Sequence, residues 1–355
     1  MKRKKRNPLK FDAIELYTAI GRDHDYEISA EGDISNFLDS VGESLKVTQT
    51  NSLLLHGKRI EALFAHVAGA MGKCRFIKQE DSGDVFVSGD DFEVPDYRVF
   101  LNDGTSYLVE VKNFHMKSFK ADFSVSKKYM HGLEAYAQLN SIPLRFAIYF
   151  SRPNAWVFLP KEAFRETKRH YVVNFIDAIA RNEMAKLGDR MIATLPDLRF
   201  EMLGNPDECS IPDAAGEVGF TVRSVHIYCH ENEVIDERGK QIAFYLMRYG
   251  EWPVSEATAL MRDRKVVGLR WVFSPEDPVD NQHFQIVGTL SSMISNAYRE
   301  LTVEDNKVIA LDVKQDPNFF TLEIPVGYKE SPLPLWQFIL EPNYNINRNY
   351  AAEEK

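Results

Sequence analysis

Long apolar runs are missing from this chain of 355 residues, and so are paired cysteines, internal repeats and any overall excess of positive charge. No apolar stretch nears the roughly 20 residues of a membrane-spanning helix, and the opening MKRKKRNPLK has charge with no apolar segment behind it. Neither a membrane protein nor a secreted one is expected. Cys74, Cys209 and Cys229 have no paired spacing, which argues against a disulfide framework and favours a reducing compartment; a cytoplasmic protein is the expectation. There is no Walker-type phosphate loop and no helicase signature. Ser291-Ser292 lies in an amphipathic stretch without a Gly elbow or a His partner, which sets aside a serine hydrolase. His226, Cys229, His230 and Cys209 carry ligand-type side chains, yet His-Ile-Tyr-Cys-His matches no zinc spacing. Trp252, Trp271 and Trp336 are expected in the core rather than stacked on bases.

What is present suffices for a sizeable core: 44% of the residues are hydrophobic, enough at this length for two domains. The most informative segment is DDFEVPDYRVFLNDGTSYLVEVKNFH (90–115), two runs with β-type alternation joined at Asn102-Asp103-Gly104. It predicts an antiparallel hairpin, and its register decides which side chains meet. A two-residue Asp103-Gly104 turn would pair Asp96 with Val111. A three-residue loop, with a type I turn and Gly104 in the left-handed bulge position, pairs Asp96 with Glu110 instead. Lys112 then shares their face, while Tyr97, Val99, Leu101, Tyr107, Val109 and Val111 form the opposite, apolar face. One loop choice therefore makes a core and a polar cluster together.

Two carboxylates facing each other repel, and one takes up a proton unless a cation sits between them. Carboxylate and carbonyl oxygens suit magnesium or manganese, which leave other positions for water and phosphate. An ammonium beside such a cation can orient an attacking water or stabilise charge as it develops.

Pro95-Asp96, the turn and the Glu110-Val111-Lys112 triplet together resemble the PD-(D/E)xK nuclease superfamily, the restriction-endonuclease-like fold. The resemblance implies an α/β core in the order αβββαβ, with Asp96 and Glu110 as metal ligands, Val111 counted with them, and Lys112 as the catalytic lysine. It also asks for an acidic residue on the first helix. HGKRIEALFAHVAGAMG (56–72) supplies Glu61, with Ile60, Leu63, Phe64 and Val67 at helical spacing. Cys74 to Ile77 is then the first strand, KKYMHGLEAYAQLNS (127–141) a helix and LRFAIYFS (144–151) a buried strand. This order is similar to the Holliday-junction-resolvase and restriction-like branches, whose helix after the lysine strand carries a Gln; Gln138 lies near that position. Tyr129 and Tyr136 are expected to be packing residues.

The net charge of −9 is unusual for a partner of nucleic acid, but its distribution is uneven. Residues 110–170 hold eleven Lys or Arg against five Asp or Glu, whereas 201–240 hold three against nine. Lys117, Lys120, Lys127 and Lys128, with Arg165, Lys168 and Arg169, are candidates for contact with a nucleic-acid backbone. The expected organisation is a basic tail (1–10), a helical extension (11–50), the nuclease domain (51–185), a second α+β domain (186–345) and a polar tail (346–355). YVVNFIDAIARNEMAKLG (171–188) is expected as a helix. In the second domain LPDLRFEML, VGFTVRSVHIYC, VVGLRWVFS, KVIALDV and FFTLEIPVGY are expected as strands, with helices near IDERGKQIAFYLMRYG and QIVGTLSSMISNAYREL.

The resemblance implies a nuclease dependent on Mg2+, with Mn2+ able to substitute, that hydrolyses DNA phosphodiester bonds as an endonuclease of defence, restriction, recombination or repair. A homodimer is expected, with the second domain selecting substrate, dimerising or docking a protein partner. RNA as substrate is one alternative. A non-catalytic nucleic-acid-binding or complex-assembly module on the same fold is the other, and the presence of Glu61, Asp96, Glu110 and Lys112 together weighs against it.

Overall fold

The computed structural model describes residues 1–2, 12–81, 88, 92–325 and 327–345, so most of the two expected tails lies outside the described residues. The chain divides into two compact units. The first is Met1–Leu187 with Tyr298–Phe320 and Glu341–Lys355, and the second is Gly188–Ala297 with Thr321–Leu340.

In the first unit α1 (Asp12–His24) and α2 (Glu31–Thr50) make the acidic extension, and the Tyr17 ring meets Phe37 edge-on at 5.1 Å. Helix α3 (Ser52–Ala70) starts at Asn51, whose side chain accepts from the Leu54 amide at 3.1 Å. Ile60, Leu63, Phe64 and Val67 are all buried, as their spacing demands. There follow β1 (Cys74–Gln79), β2 (Tyr97–Leu101), β3 (Ser106–Phe114), β4 (Phe123–Ser126), α4 (Lys127–Asn140), β5 (Leu144–Phe150) and β6 (Ala155–Leu159). The main sheet has the order β1-β2-β3-β5-β6, with β3 and β5 parallel and the other pairs antiparallel. A parallel pair needs a crossover, and α4 provides it. Phe146, Ile148 and Phe150 of β5 pack with Met130 and Leu133 of α4, which closes one face of the sheet.

The helix expected over 171–188 is not formed as one piece. Its first residues belong to β8 (His170–Val173), which pairs with β4 and with β7 (Arg165–Glu166) in a small sheet; α5 (Phe175–Ala180) and a 3-10 turn at Met184–Leu187 follow. The reason is local. Tyr171-Val172-Val173 is aromatic and β-branched, and finds a partner in Phe123–Ser126, while Asn174 caps α5 by accepting from the Asp177 amide at 2.9 Å.

The second unit contains β9 (Met191–Thr194), β10 (Leu198–Gly204), β11 (Val222–Cys229), β12 (Asn232–Glu233), α6 (Glu237–Tyr249), β13 (Thr258–Arg262), β14 (Lys265–Phe273) and β15 (Gln285–Thr289). After α7 (Leu290–Thr302), whose residues from Tyr298 belong to the first unit, come β16 (Val303–Glu304), β17 (Lys307–Val308) and β18 (Leu335–Phe338). One antiparallel sheet has the order β12-β11-β10-β14-β13 and another β15-β9-β18. Two expected strands are corrected. KVIALDV keeps strand geometry only at Lys307–Val308, and FFTLEIPVGY forms none among its described residues, beginning instead inside a 3-10 turn, Pro317–Phe320. The Phe320 ring is instead buried against His66 of α3 (5.5 Å) and Tyr298 (6.0 Å).

Candidate active site

The β2–β3 hairpin sets the site. Gly104, at φ 89°, takes the left-handed turn position, and the Leu101 amide bonds to the Thr105 carbonyl at 2.8 Å. The strands pair Tyr97 with Val109 and Val99 with Tyr107, and continuing that register sets Asp96 opposite Glu110. Tyr97, Val99, Leu101, Tyr107, Val109 and Val111 are all buried. Asp96 is fixed by its neighbour on the other strand, for its Oδ2 accepts from the Val111 amide at 2.7 Å.

Glu110 is buried almost completely, with 1% of its surface exposed. Its Oε1 accepts from Lys112 Nζ and, at 2.7 Å, from the Tyr129 hydroxyl, while its Oε2 is buried with no hydrogen-bond partner. Lys112 Nζ also lies 5.2 Å from the centre of the Tyr129 ring, near its face. Burial first, then the neighbouring Glu110 carboxylate, raises the Asp96 carboxyl to about 7; the Val111 amide and Lys112 pull the other way. Burial and Glu110 push the Tyr129 hydroxyl well above its usual range, so it stays protonated and donates.

Glu61 faces this region from α3. It contributes to the rise at Asp96, and its backbone carbonyl accepts from the Tyr97 hydroxyl at 3.1 Å, which ties α3 to β2. Its carboxylate is held by Lys58 at 2.6 Å. Among the described residues no three His, Cys, Asp or Glu side chains gather as a metal-binding group. Asp96 and Glu110 stand opposite each other on the extended hairpin register, and Glu61 is on α3.

The basic candidates are less concentrated. Lys117, Lys120 and Lys128 are exposed, while Lys127 is ion-paired with Glu166, and Arg165 with Asp122 at 3.1 Å. Gln138 is exposed in the last turn of α4. The ligand-type residues of the second unit serve other ends: His226 bonds to Glu233 at 2.6 Å, His230 to the Pro196 carbonyl at 3.0 Å and Cys209 to the Asn205 carbonyl at 3.2 Å, and Cys229 is buried beside Thr194. Trp252 is buried and Trp336 stacks on Phe284 at 5.1 Å. Ser291 bonds to Asp189 at 2.6 Å.

Tyr129 is a site residue that the sequence reading assigned to packing. Its available signal was Ser126, which caps α4 by accepting from the Tyr129 amide at 3.2 Å and so fixes Tyr129 in the first turn. Tyr136, also expected to pack, donates to Glu80 Oε1 at 2.8 Å; Arg98 bonds to the same oxygen and reaches Asn140 Oδ1 at 2.8 Å. The Glu80 amide in turn donates to the Asp96 carbonyl at 2.8 Å, so this network braces the strand end that carries Asp96. Gly132 completes the brace. A Cβ there would lie 2.6 Å from Glu93 Cγ, so only glycine lets the segment leading to Pro95-Asp96 lie against α4.

No family model matches the chain, and no curated protein matches it. Among solved structures it is similar to Hjc of Archaeoglobus fulgidus, described as a Holliday junction resolvase from an archaeal hyperthermophile, at 18% identity over 26% of this chain and 78% of that one, with a TM-score of 0.22. A likeness of that size decides nothing about the site, whose reading rests on its own geometry. Among the described residues no helix is long and apolar enough to cross a membrane.

Proposed function

We propose that the first unit is a nuclease of the PD-(D/E)xK type that hydrolyses phosphodiester bonds with a divalent cation. The observation that carries this reading is the buried Glu110 Oε2, which has no partner and belongs to a carboxylate set across the hairpin from Asp96. A buried acceptor left unmet is costly, and a hard cation between two carboxylates removes both that cost and their repulsion. The residues therefore fit magnesium or manganese. Asp96 and Glu110 would hold it, with the Val111 carbonyl and Glu61 as further oxygen donors. When bound, the cation would supply Lewis-acid stabilisation of a phosphate oxygen and a more acidic water.

The chain's own residues have separate tasks. Lys112 carries an ammonium that can donate to a non-bridging phosphate oxygen or to the attacking water, and Glu110 Oε1 aims it. Tyr129 shares that oxygen and keeps Oε2 turned away from both donors. Exposed Lys117, Lys120 and Lys128 would meet the substrate backbone. We take DNA as the substrate, a homodimer as the working form, and the second unit as the part that selects substrate or docks a partner.

The test is incubation of the purified chain with labelled duplex, branched and single-stranded DNA and with RNA, in magnesium, manganese or EDTA. Cleavage that needs the cation and is lost in Asp96→Ala and Glu110→Ala is expected. Cleavage unaffected by excess EDTA refutes the mechanism, and nucleic-acid binding without cleavage turns the reading to a non-catalytic module.

A further inference from the structure

Arg59 lies on α3 two residues before Glu61, about 200° round the helix and so on its other side. Its guanidinium is out of place there by ordinary rules. Arg59 is 5% exposed, and its Nε–H and both Nη1–H groups are buried without an acceptor. Among the described residues no carboxylate is paired with it. The Tyr298 ring, 5.9 Å from the guanidinium carbon, offers a cation–π contact but accepts none of these N–H bonds. The carboxylate beyond that ring, Asp312, is engaged by His66 Nε2 at 2.9 Å and by the Val313 amide at 2.7 Å.

Two further basic groups lie near Arg59. His56 is one turn earlier on the same face of α3, and Arg299 follows Tyr298 on α7 with an exposed side chain. Burial, then Arg59 and Arg299, lowers the affinity of His56 for a proton; on Arg59 burial weighs most against the charge, Tyr149 and Tyr298 favour it, and Arg299 opposes it. A buried cation without a counter-charge, facing two further basic side chains, is strongly unfavourable unless an anion joins it. Donors from two helices, including two guanidinium groups, suit a tetrahedral oxyanion with several acceptor oxygens.

We propose that His56, Arg59 and Arg299 form a phosphate-binding site on the side of α3 turned away from Glu61. The site takes a phosphate group, whether borne by a free nucleotide or by a nucleic-acid backbone, and it does not depend on the nuclease reading. Its ligand would fix the helix that carries Glu61.

The experiment uses the full chain and inorganic phosphate. Thermal unfolding is followed against phosphate concentration, with sodium chloride at matched ionic strength as the control, for the wild type, Arg59→Met and Arg299→Ala. The wild type is expected to gain several degrees, saturably, at phosphate well above its dissociation constant. Each variant is expected to lose that gain, and Arg59→Met in chloride to melt no lower than the wild type, since an unmet buried charge has gone. Arg299 is exposed, so its replacement keeps the test intact even if the Arg59 variant folds poorly. Lys112→Ala should retain the gain, which separates this site from the other one. Adenosine monophosphate and a short oligonucleotide, titrated separately, identify the source: a much tighter, steeply salt-dependent oligonucleotide assigns the backbone, and equal affinities assign a free nucleotide. Phosphate that acts no differently from chloride, or a gain that survives in both variants, overturns the proposal.

Discussion

Metal binding at the hairpin should be driven by pH through Asp96. Burial and the neighbouring Glu110 hold this carboxyl at about 7, so below neutrality the free protein keeps a proton where a cation needs an oxygen. Each unit of pH below 7 then weakens apparent affinity about tenfold, or roughly 1.4 kcal/mol, and the dependence flattens above it. From pH 8 to pH 5 the expected loss is about a hundredfold. Calorimetric titration with Mn2+ in buffers of differing ionisation enthalpy should show close to one proton released per cation at pH 6, falling towards none at pH 8.5. The metal-free protein must show the opposite trend in stability. A carboxyl raised above its unfolded value of 3.8 binds more protons when folded, so its contribution is full below about 4 and is lost as pH rises to about 7. Asp96→Asn should abolish both slopes. Equal Mn2+ affinity at pH 5.5 and pH 8, or no proton release at pH 6, would refute the shared site.

Lys112→Ala should still bind metal and nucleic acid but cleave on the order of a hundredfold more slowly or worse, as expected when one preorganised transition-state donor is removed; single-turnover kinetics separate the two effects. Tyr129→Phe deletes the 2.7 Å bond to Glu110 and should weaken Mn2+ binding about tenfold, read by calorimetry, with rescue at higher metal concentration. Gly132→Ala sets a methyl 2.6 Å from Glu93 Cγ and should lower the unfolding free energy by about 1–3 kcal/mol, read by denaturant titration, with activity lost in proportion as the Asp96 segment shifts. Light scattering should give twice the 40.8 kDa chain mass, and a mass of one chain with and without DNA would exclude the dimer.

The hairpin was legible because two independent constraints agreed on one register. The Asn102-Asp103-Gly104 loop and the apolar face from Tyr97 to Val111 each require Asp96 opposite Glu110, and a slip of one residue would have exposed Val99 and Val109 while burying Arg98. Helix α3 was legible for a similar reason, since Ile60, Leu63, Phe64 and Val67 fall at one period. Two stretches read from a single cue came out differently. The stretch from 171 was read by its helical spacing, but the partner that makes Tyr171-Val172-Val173 a strand lies at Phe123–Ser126, far away in sequence. The run from Lys307 to Val313 has strand-forming residues, yet among the described residues no strand pairs with it beyond Val308, and Ile309 and Leu311 stay exposed while Val313 is buried.

The residues missed at the two proposed sites follow the same logic. Asp96, Glu110 and Lys112 declare themselves because their chemistry is unusual on a hairpin, whereas Tyr129, Arg59 and Gly132 are ordinary in composition and become informative only through what surrounds them. Tyr129 matters because a buried carboxylate has one oxygen bonded and one free. Arg59 matters because its buried Nε and Nη1 groups have no acceptor. Hydrogen-bond completeness is a property of three-dimensional neighbours, set by contacts between α4 and β3 or between α3 and the segment returning at Tyr298, and no local pattern encodes it. A buried polar atom without a partner is therefore where the sequence is silent and the structure most specific, and in this chain such atoms mark both the proposed cation position and the proposed phosphate site.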